Sequence, residues 1–274
     1  MAEFVGHLSL RAAPRADGRT VLAAQSFRAP FHLGKTYWDA DARTLIAQVV
    51  NPTAGILAGD RLASDIAVEP GAALLVTTPS ASRVFRMRGG AAACEQHFSV
   101  AAGAWLEVLP EPLVPHRGCT YRQRTQVEID PGGGLFLVDQ LMPGRVAHGE
   151  AWGWDRLTLS LEVRLGGELI LRERFDHTGP ALRDLAALAG SGPAACFANA
   201  ILVAPPTGDT PAWRTALAAL HDHCLWLGVS ELRQGGHSLK IVAPDAVRLR
   251  RAVRDARRIL ASYFPRLGCE VRKL

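Results

Sequence analysis

A short cassette recurs along the first two thirds of the chain, and it restricts the fold more than any other feature. A β-branched residue, one or two turn formers and a Gly appear in Val68-Glu69-Pro70-Gly71-Ala72, Val100-Ala101-Ala102-Gly103-Ala104, Ile129-Asp130-Pro131-Gly132-Gly133 and Val163-Arg164-Leu165-Gly166-Gly167. With Gly71, Gly103, Gly133 and Gly167 as markers, the interval is about 32 residues, the length of one strand pair in a stacked β architecture. The strand before each turn alternates: Tyr121, Gln123, Thr125, Val127 and Ile129 fall on one side, and Arg122, Arg124, Gln126, Glu128 and Asp130 on the other. One face is therefore buried and the other wet. An antiparallel sandwich with evenly spaced hairpins satisfies the same pattern and stays open.

After Phe175 the pattern changes. Asp176-His177-Thr178-Gly179-Pro180 is a break. Beyond it the spacing predicts a helix over 181–189 stopped by Gly190 with Gly192 and Pro193, a strand over 198–204 and a loop over 205–209. A helix over 211–224, strands over 229–233 and 238–243, and a helix over 245–263 follow. The order β, α, β, β, α is most of a split βαβ unit. The expected class is mainly β with helices (α+β): a stacked strand-pair, β-helix-like body over 1–176 and an α+β region with a split βαβ over 177–274 packed on it.

A chain of 274 residues buries a large core without staples. Five cysteines, widely scattered and without a Cys-x-x-Cys pair, indicate neither a disulfide framework nor a structural zinc site. No signal peptide is read in residues 1–20 and no membrane-length apolar run elsewhere, so a cytoplasmic protein is expected. The net charge of +5 favours an acidic partner.

Two loops carry most of the functional signal. The first, Asn51-Pro52-Thr53-Ala54-Gly55-Ile56-Leu57-Ala58-Gly59-Asp60, bends at Pro52, Gly55 and Gly59 and holds Asp60 at its exit. Asp60 reads either as a cap on loop amides or as a positioned carboxylate. The second is Thr77-Thr78-Pro79-Ser80-Ala81-Ser82-Arg83-Val84-Phe85-Arg86. The first loop lacks the spacing of a phosphate-cradling or dinucleotide motif.

Together with Leu106-Glu107-Val108-Leu109-Pro110, Leu137-Val138-Asp139, Gly144-Arg145 and Gly149-Glu150, these loops resemble the UreD (UreH) family of urease accessory proteins across most of the chain. Arg83 stands where that family has Lys, and Pro110-Glu111-Pro112 where it has Pro-Gln-Glu/Asp. The resemblance implies a β-rich, helix-like stack and a scaffold that is not an enzyme. It implies binding to apo-urease and UreF, with UreG recruited through UreF, and passage of Ni²⁺ with no tightly bound cofactor. Carried over by matched motif, Asp60, Ser82, Asp139 and Glu173 are polar positions along the internal passage.

Asp60, Asp139 and Glu173 are hard oxygen donors, which suit transit better than the gathered imidazole and thiolate of tight nickel or zinc storage. Six residues past the markers stand Thr77, Leu109, Asp139 and Glu173, so stacking predicts that these align along one edge and that Asp60, Ser82, Asp139 and Glu173 converge. The bland alternative pairs each carboxylate with a cation such as Arg86, Arg145 or Arg174.

Three other features bear on function. His221-Asp222-His223-Cys224 looks metal-like, but on a helix only His221 and Cys224 share a face. Arg248, Arg250, Arg251, Arg254, Arg257 and Arg258 suit a nucleic-acid-binding or general interaction module. The stripe of Val247, Leu249, Val253, Ala256 and Leu260 makes the same segment an amphipathic helix with a solvated basic face. No Gly-x-Ser-x-Gly context supports hydrolysis, and His116 with Cys119 is a proximity only.

Overall fold

The computed structural model describes residues 5–188, 192, 194–205 and 210–271. The expected helix stop at Gly190 and Pro193 and the loop residues 206–209 lie outside the described residues. Two sheets face each other. In the first, Arg61–Val68, Ala92–Val100, Thr120–Ile129 and Arg156–Leu165 run parallel in sequence order. In the second, Thr44–Val50, Ala73–Thr77, Trp105–Leu109 and Gly134–Leu141 do the same. The chain rises along one sheet, turns at a Gly and descends along the other, so each cassette is one coil of a solenoid. Parallel pairing between coils rules out the antiparallel sandwich.

The turns explain the period. Gly71, Gly103 and Gly132 have φ of +78°, +69° and +86°, a backbone that only Gly adopts without strain. The third turn glycine is thus Gly132, one residue before the expected marker. The last cassette differs again: Arg156–Leu165 and Glu168–His177 form an antiparallel hairpin, so the chain stays in the first sheet.

The space between the sheets is apolar near the Gly turns, where Val68, Val100, Ile129 and Val163 meet Leu74, Leu106 and Leu135. Each buried Val or Leu contributes about 1.5–3 kcal/mol, enough for this row to define the register of stacking.

Helix α1 spans Gly179–Leu188, α2 Thr210–Ala218 and α3 Ala246–Ala261. Cys196–Val203 pairs antiparallel with Gly134–Leu141, His237–Ala243 with Cys196–Val203, and Trp226–Glu231 with His237–Ala243. In the split βαβ arrangement a fourth strand lies beside the first, antiparallel to it. Here Gly134–Leu141, a solenoid strand, occupies that place, and the second sheet runs unbroken from the coils into the carboxyl-terminal region.

Helix α3 starts where the Asp245 carboxylate accepts from Arg248 N at 2.8 Å, an N-cap that satisfies an otherwise orphaned amide. It lays Leu249, Ala252, Val253, Ala256 and Leu260 on the outer face of the second sheet. Val247, expected in this stripe, is 76% exposed, and Ala252 takes its role. Among the described residues no helix is long and apolar enough to cross a membrane.

Candidate functional site

At the end of the coils away from the Gly turns, the space between the sheets turns polar. Strand register puts Ser64, Gln96, Thr125, Leu161 and Glu173 on one rung across the first sheet. Opposite, Asp139, Asn199 and Lys240 form a rung of the second sheet. Between the sheets and under the two sequence-defined loops lies a cavity of about 190 Å³. Asp139, Glu111, Gln96, Gln123, Ser82 and Cys94 are among the residues that line it.

The loops form its roof because they are bonded to each other. Ile56 N donates to Arg83 O at 2.8 Å and Phe85 N to Ile56 O at 2.9 Å. Gly55 permits this approach: its φ is +153°, and a Cβ there would stand 2.5 Å from Arg83 O and 2.6 Å from the Phe85 ring.

Asp139 shares the inward face of its strand with Leu135 and Leu137. Gln123 Nε2 donates to its Oδ1 at 3.3 Å. Burial pushes its carboxyl up to about 6, Gln123 opposes that, nearby Glu173 adds to it and Lys240 pulls it down. Near neutral pH it is mostly a carboxylate facing a polar cavity. Burial also pushes the Cys94 thiol up to about 12, so without a metal the sulfur stays protonated. Beside that thiol the lining offers carboxylate, amide and hydroxyl oxygens, which bind a divalent transition ion weakly.

Ser82 and Asp139 thus front one cavity, and Glu173 adjoins Asp139 through Asn199, whose Nδ2 donates to Glu173 Oε2 at 2.6 Å. The route to this meeting is not the expected alignment. Thr77 pairs with Leu109 as foreseen, but Val108 pairs with Leu137, so Asp139 lies one residue out of the row. A one-residue slip changes the face of a strand, and it is this slip that turns Asp139 inward while Leu109 packs outward. Glu173 belongs to the opposite sheet and meets Asp139 across the gap. Asp60 does not line the cavity: its Oδ2 accepts from Leu57 N at 2.8 Å and so braces the first loop.

Of the candidate Arg partners for these carboxylates, Arg145 is engaged with Glu150 and Arg174 with Asp176. Glu173 pairs instead with Lys240. Sequence reasoning missed Lys240, Asn199 and Glu111; the buried face already carrying Gln123 and Thr125 was the signal that this interior is polar.

The metal-like cluster sits on a loop, since α2 stops at Ala218. Donor atoms of Asp222, His223 and Cys224 lie within 4.8 Å of one another. Yet Asp222 Oδ1 accepts from Cys224 N and Leu225 N, both at 2.8 Å, and its other oxygen pairs with Arg248. The carboxylate is spent on the turn, and His221, the other half of the expected pair, accepts from Leu227 N through Nδ1 at 3.4 Å. The basic run of α3 is largely neutralised: Arg248 pairs with Asp222, Arg250 with Glu111, Arg251 and Arg258 with Asp255, and Arg257 with Glu107. Such a face is poor at collecting phosphates.

Comparison with known proteins agrees with the ordered loop motifs. The family described as UreD urease accessory protein matches residues 5–272. A urease accessory protein UreD of Opitutus terrae is 63% identical over 272 residues, covering 99% of this chain and 100% of that protein. The UreD of Yersinia pseudotuberculosis is 35% identical over 205 residues, 73% of this chain and 63% of its own length. That of Kocuria rhizophila is 35% identical over 164 residues, 60% of this chain and 45% of its own. The chain belongs to the UreD family of urease accessory proteins, and its role lies in urease maturation.

Proposed function

We propose that this chain is a cytoplasmic, non-enzymatic scaffold that binds apo-urease and UreF and lets Ni²⁺, brought by UreG through UreF, pass along its polar interior. The observation that carries the reading is Asp139, a carboxylate that fronts a polar cavity and is hydrogen-bonded there by the neutral amide of Gln123. A cargo ion is drawn to such a charge, and incomplete oxygen coordination lets it leave. Ser82 lines the same cavity, Glu173 offers the next carboxylate, and Asp60 acts indirectly by bracing the loop overhead.

The test is coexpression of the Asp139→Ala, Glu173→Ala double variant with the urease system, measuring nickel per urease and copurification with UreF and apo-urease. Intact complexes with clearly lowered nickel are expected. Full nickel loading through the double variant rejects transit past these residues, and failure of the wild-type chain to copurify with either partner rejects the scaffold. The rival reading, a nucleic-acid-binding module, is weaker, because five of the six Arg residues it needs are ion-paired.

A further inference from the structure

Lys240 occupies an unusual position beside the acidic interior. Its strand neighbour Asn199 lies between it and Asp139 on one rung of the second sheet. The ammonium donates to Asn199 Oδ1 at 2.8 Å and to Glu173 Oε1, while Asn199 Nδ2 donates to the other Glu173 oxygen at 2.6 Å. One carboxylate oxygen and one amide oxygen thus converge on a single positive charge. This is the donor chemistry that a partly hydrated divalent ion also takes.

The groups sit where the sandwich opens. Glu168–His177 is the last strand of the first sheet, whereas the second sheet continues past it through Cys196–Val203 to His237–Ala243. The Lys240 side chain is 53% exposed and that of Glu173 25%, so the ammonium reaches in from solvent on a flexible stem. The same ammonium also acts electrostatically on Asp139, so it couples to both carboxylates.

We propose that Lys240 is a tethered counter-ion: its ammonium fills the cation seat between Glu173 and Asn199, swings out when a divalent ion arrives from the Asp139 side, and returns to expel that ion. The proposal rests on the nickel-passage reading and deepens it. Lys240 is a positioning residue in this scheme. Its competition keeps the seat weak, which a passage requires and a storage site does not.

The test is titration of the full 274-residue chain with Ni²⁺ by calorimetry, without urease, comparing wild type, Lys240→Met, Lys240→Arg and Lys240→Met with Glu173→Gln. Lys240→Met is expected to bind Ni²⁺ roughly tenfold more tightly, since a unit charge a few ångströms from the ion has been removed. Lys240→Arg restores the wild-type affinity, and Glu173→Gln abolishes the gain. If Lys240→Met loses the wild-type circular dichroism, Lys240→Gln, which keeps a donor without the charge, carries the same expectation.

An unchanged affinity in the folded, uncharged variant overturns the proposal, as does a gain that survives Glu173→Gln, because the lysine is then only a surface ion pair. Failure of nickel transit itself reads out separately, as unchanged nickel per urease in the Asp139→Ala, Glu173→Ala variant. In coexpression, a tighter seat lowers nickel per urease for Lys240→Met while leaving the complexes intact.

Discussion

Two carboxylates of the second sheet, Glu107 and Asp139, stand on adjacent parallel strands and are treated in opposite ways. Glu107 faces outward under α3, is fully buried, and is gripped by Arg257 through Nε to Oε1 at 2.6 Å and a second bond to Oε2 at 2.9 Å. The Cys269 sulfur accepts from the same guanidinium at 3.3 Å, so the pair ties the coils to the carboxyl terminus. Asp139 faces inward and receives Gln123, a neutral donor. The outer carboxylate is bonded directly by a cation; the inner one is bonded by a neutral amide and feels Lys240 only at a distance.

That contrast orders the expected effects of substitution. Arg257→Met leaves Glu107 buried and unpaired, and the loss should be about 3–5 kcal/mol, measured by urea unfolding. A cost below 1 kcal/mol would mean that water reaches Glu107 and that the two carboxylates are alike.

Asp139→Asn should move the other way. The folded-state pKa of Asp139 is raised from 3.8 to about 6, so the native state holds the proton more tightly than the unfolded chain. Its contribution to stability is therefore present at low pH and is lost as pH rises between these values. Removing the charge should stabilise the protein by on the order of 2–3 kcal/mol at pH 7, with the difference vanishing below about pH 4. A destabilised Asp139→Asn at pH 7 would break the comparison.

Gly55→Ala tests the roof rather than the charge. A Cβ at that position collides with Arg83 O and the Phe85 ring. A cost of about 1–3 kcal/mol is expected from thermal unfolding, together with faster amide exchange at Ile56 and Phe85. Arg251→Ala, which removes an exposed pair with Asp255 on α3, marks the lower end: a change of under about 0.5 kcal/mol, and no change in nickel loading.

Much of this organisation was legible in the chain. The spacing of Gly71 and Gly103 and the alternation around Tyr121 come from local rules of turn and strand, and local rules survive folding. The split unit was also legible, because Asp245 and the apolar stripe from Leu249 onward mark α3. What could not be read was the choice between Gly132 and Gly133, since either supports a turn and only the pairing of Trp105 with Gly134 decides it. The hairpin at Gly166-Gly167 was hidden for the same reason: a Gly pair does not say to which sheet the next strand returns. Lys240 escaped notice because its partners lie far away in sequence, and nothing in Ser238-Leu239-Lys240 marks it.

The central claim is that ions travel through the cavity under the two loops, and the most direct measurement blocks it without touching a carboxylate. Ser82→Phe places an apolar ring against the lining while leaving Asp139 and Glu173 in place. With UreF and apo-urease still copurifying, nickel per urease should fall to near that of a strain lacking the chain. Nickel loading equal to wild type, in an equally assembled complex, would contradict the account.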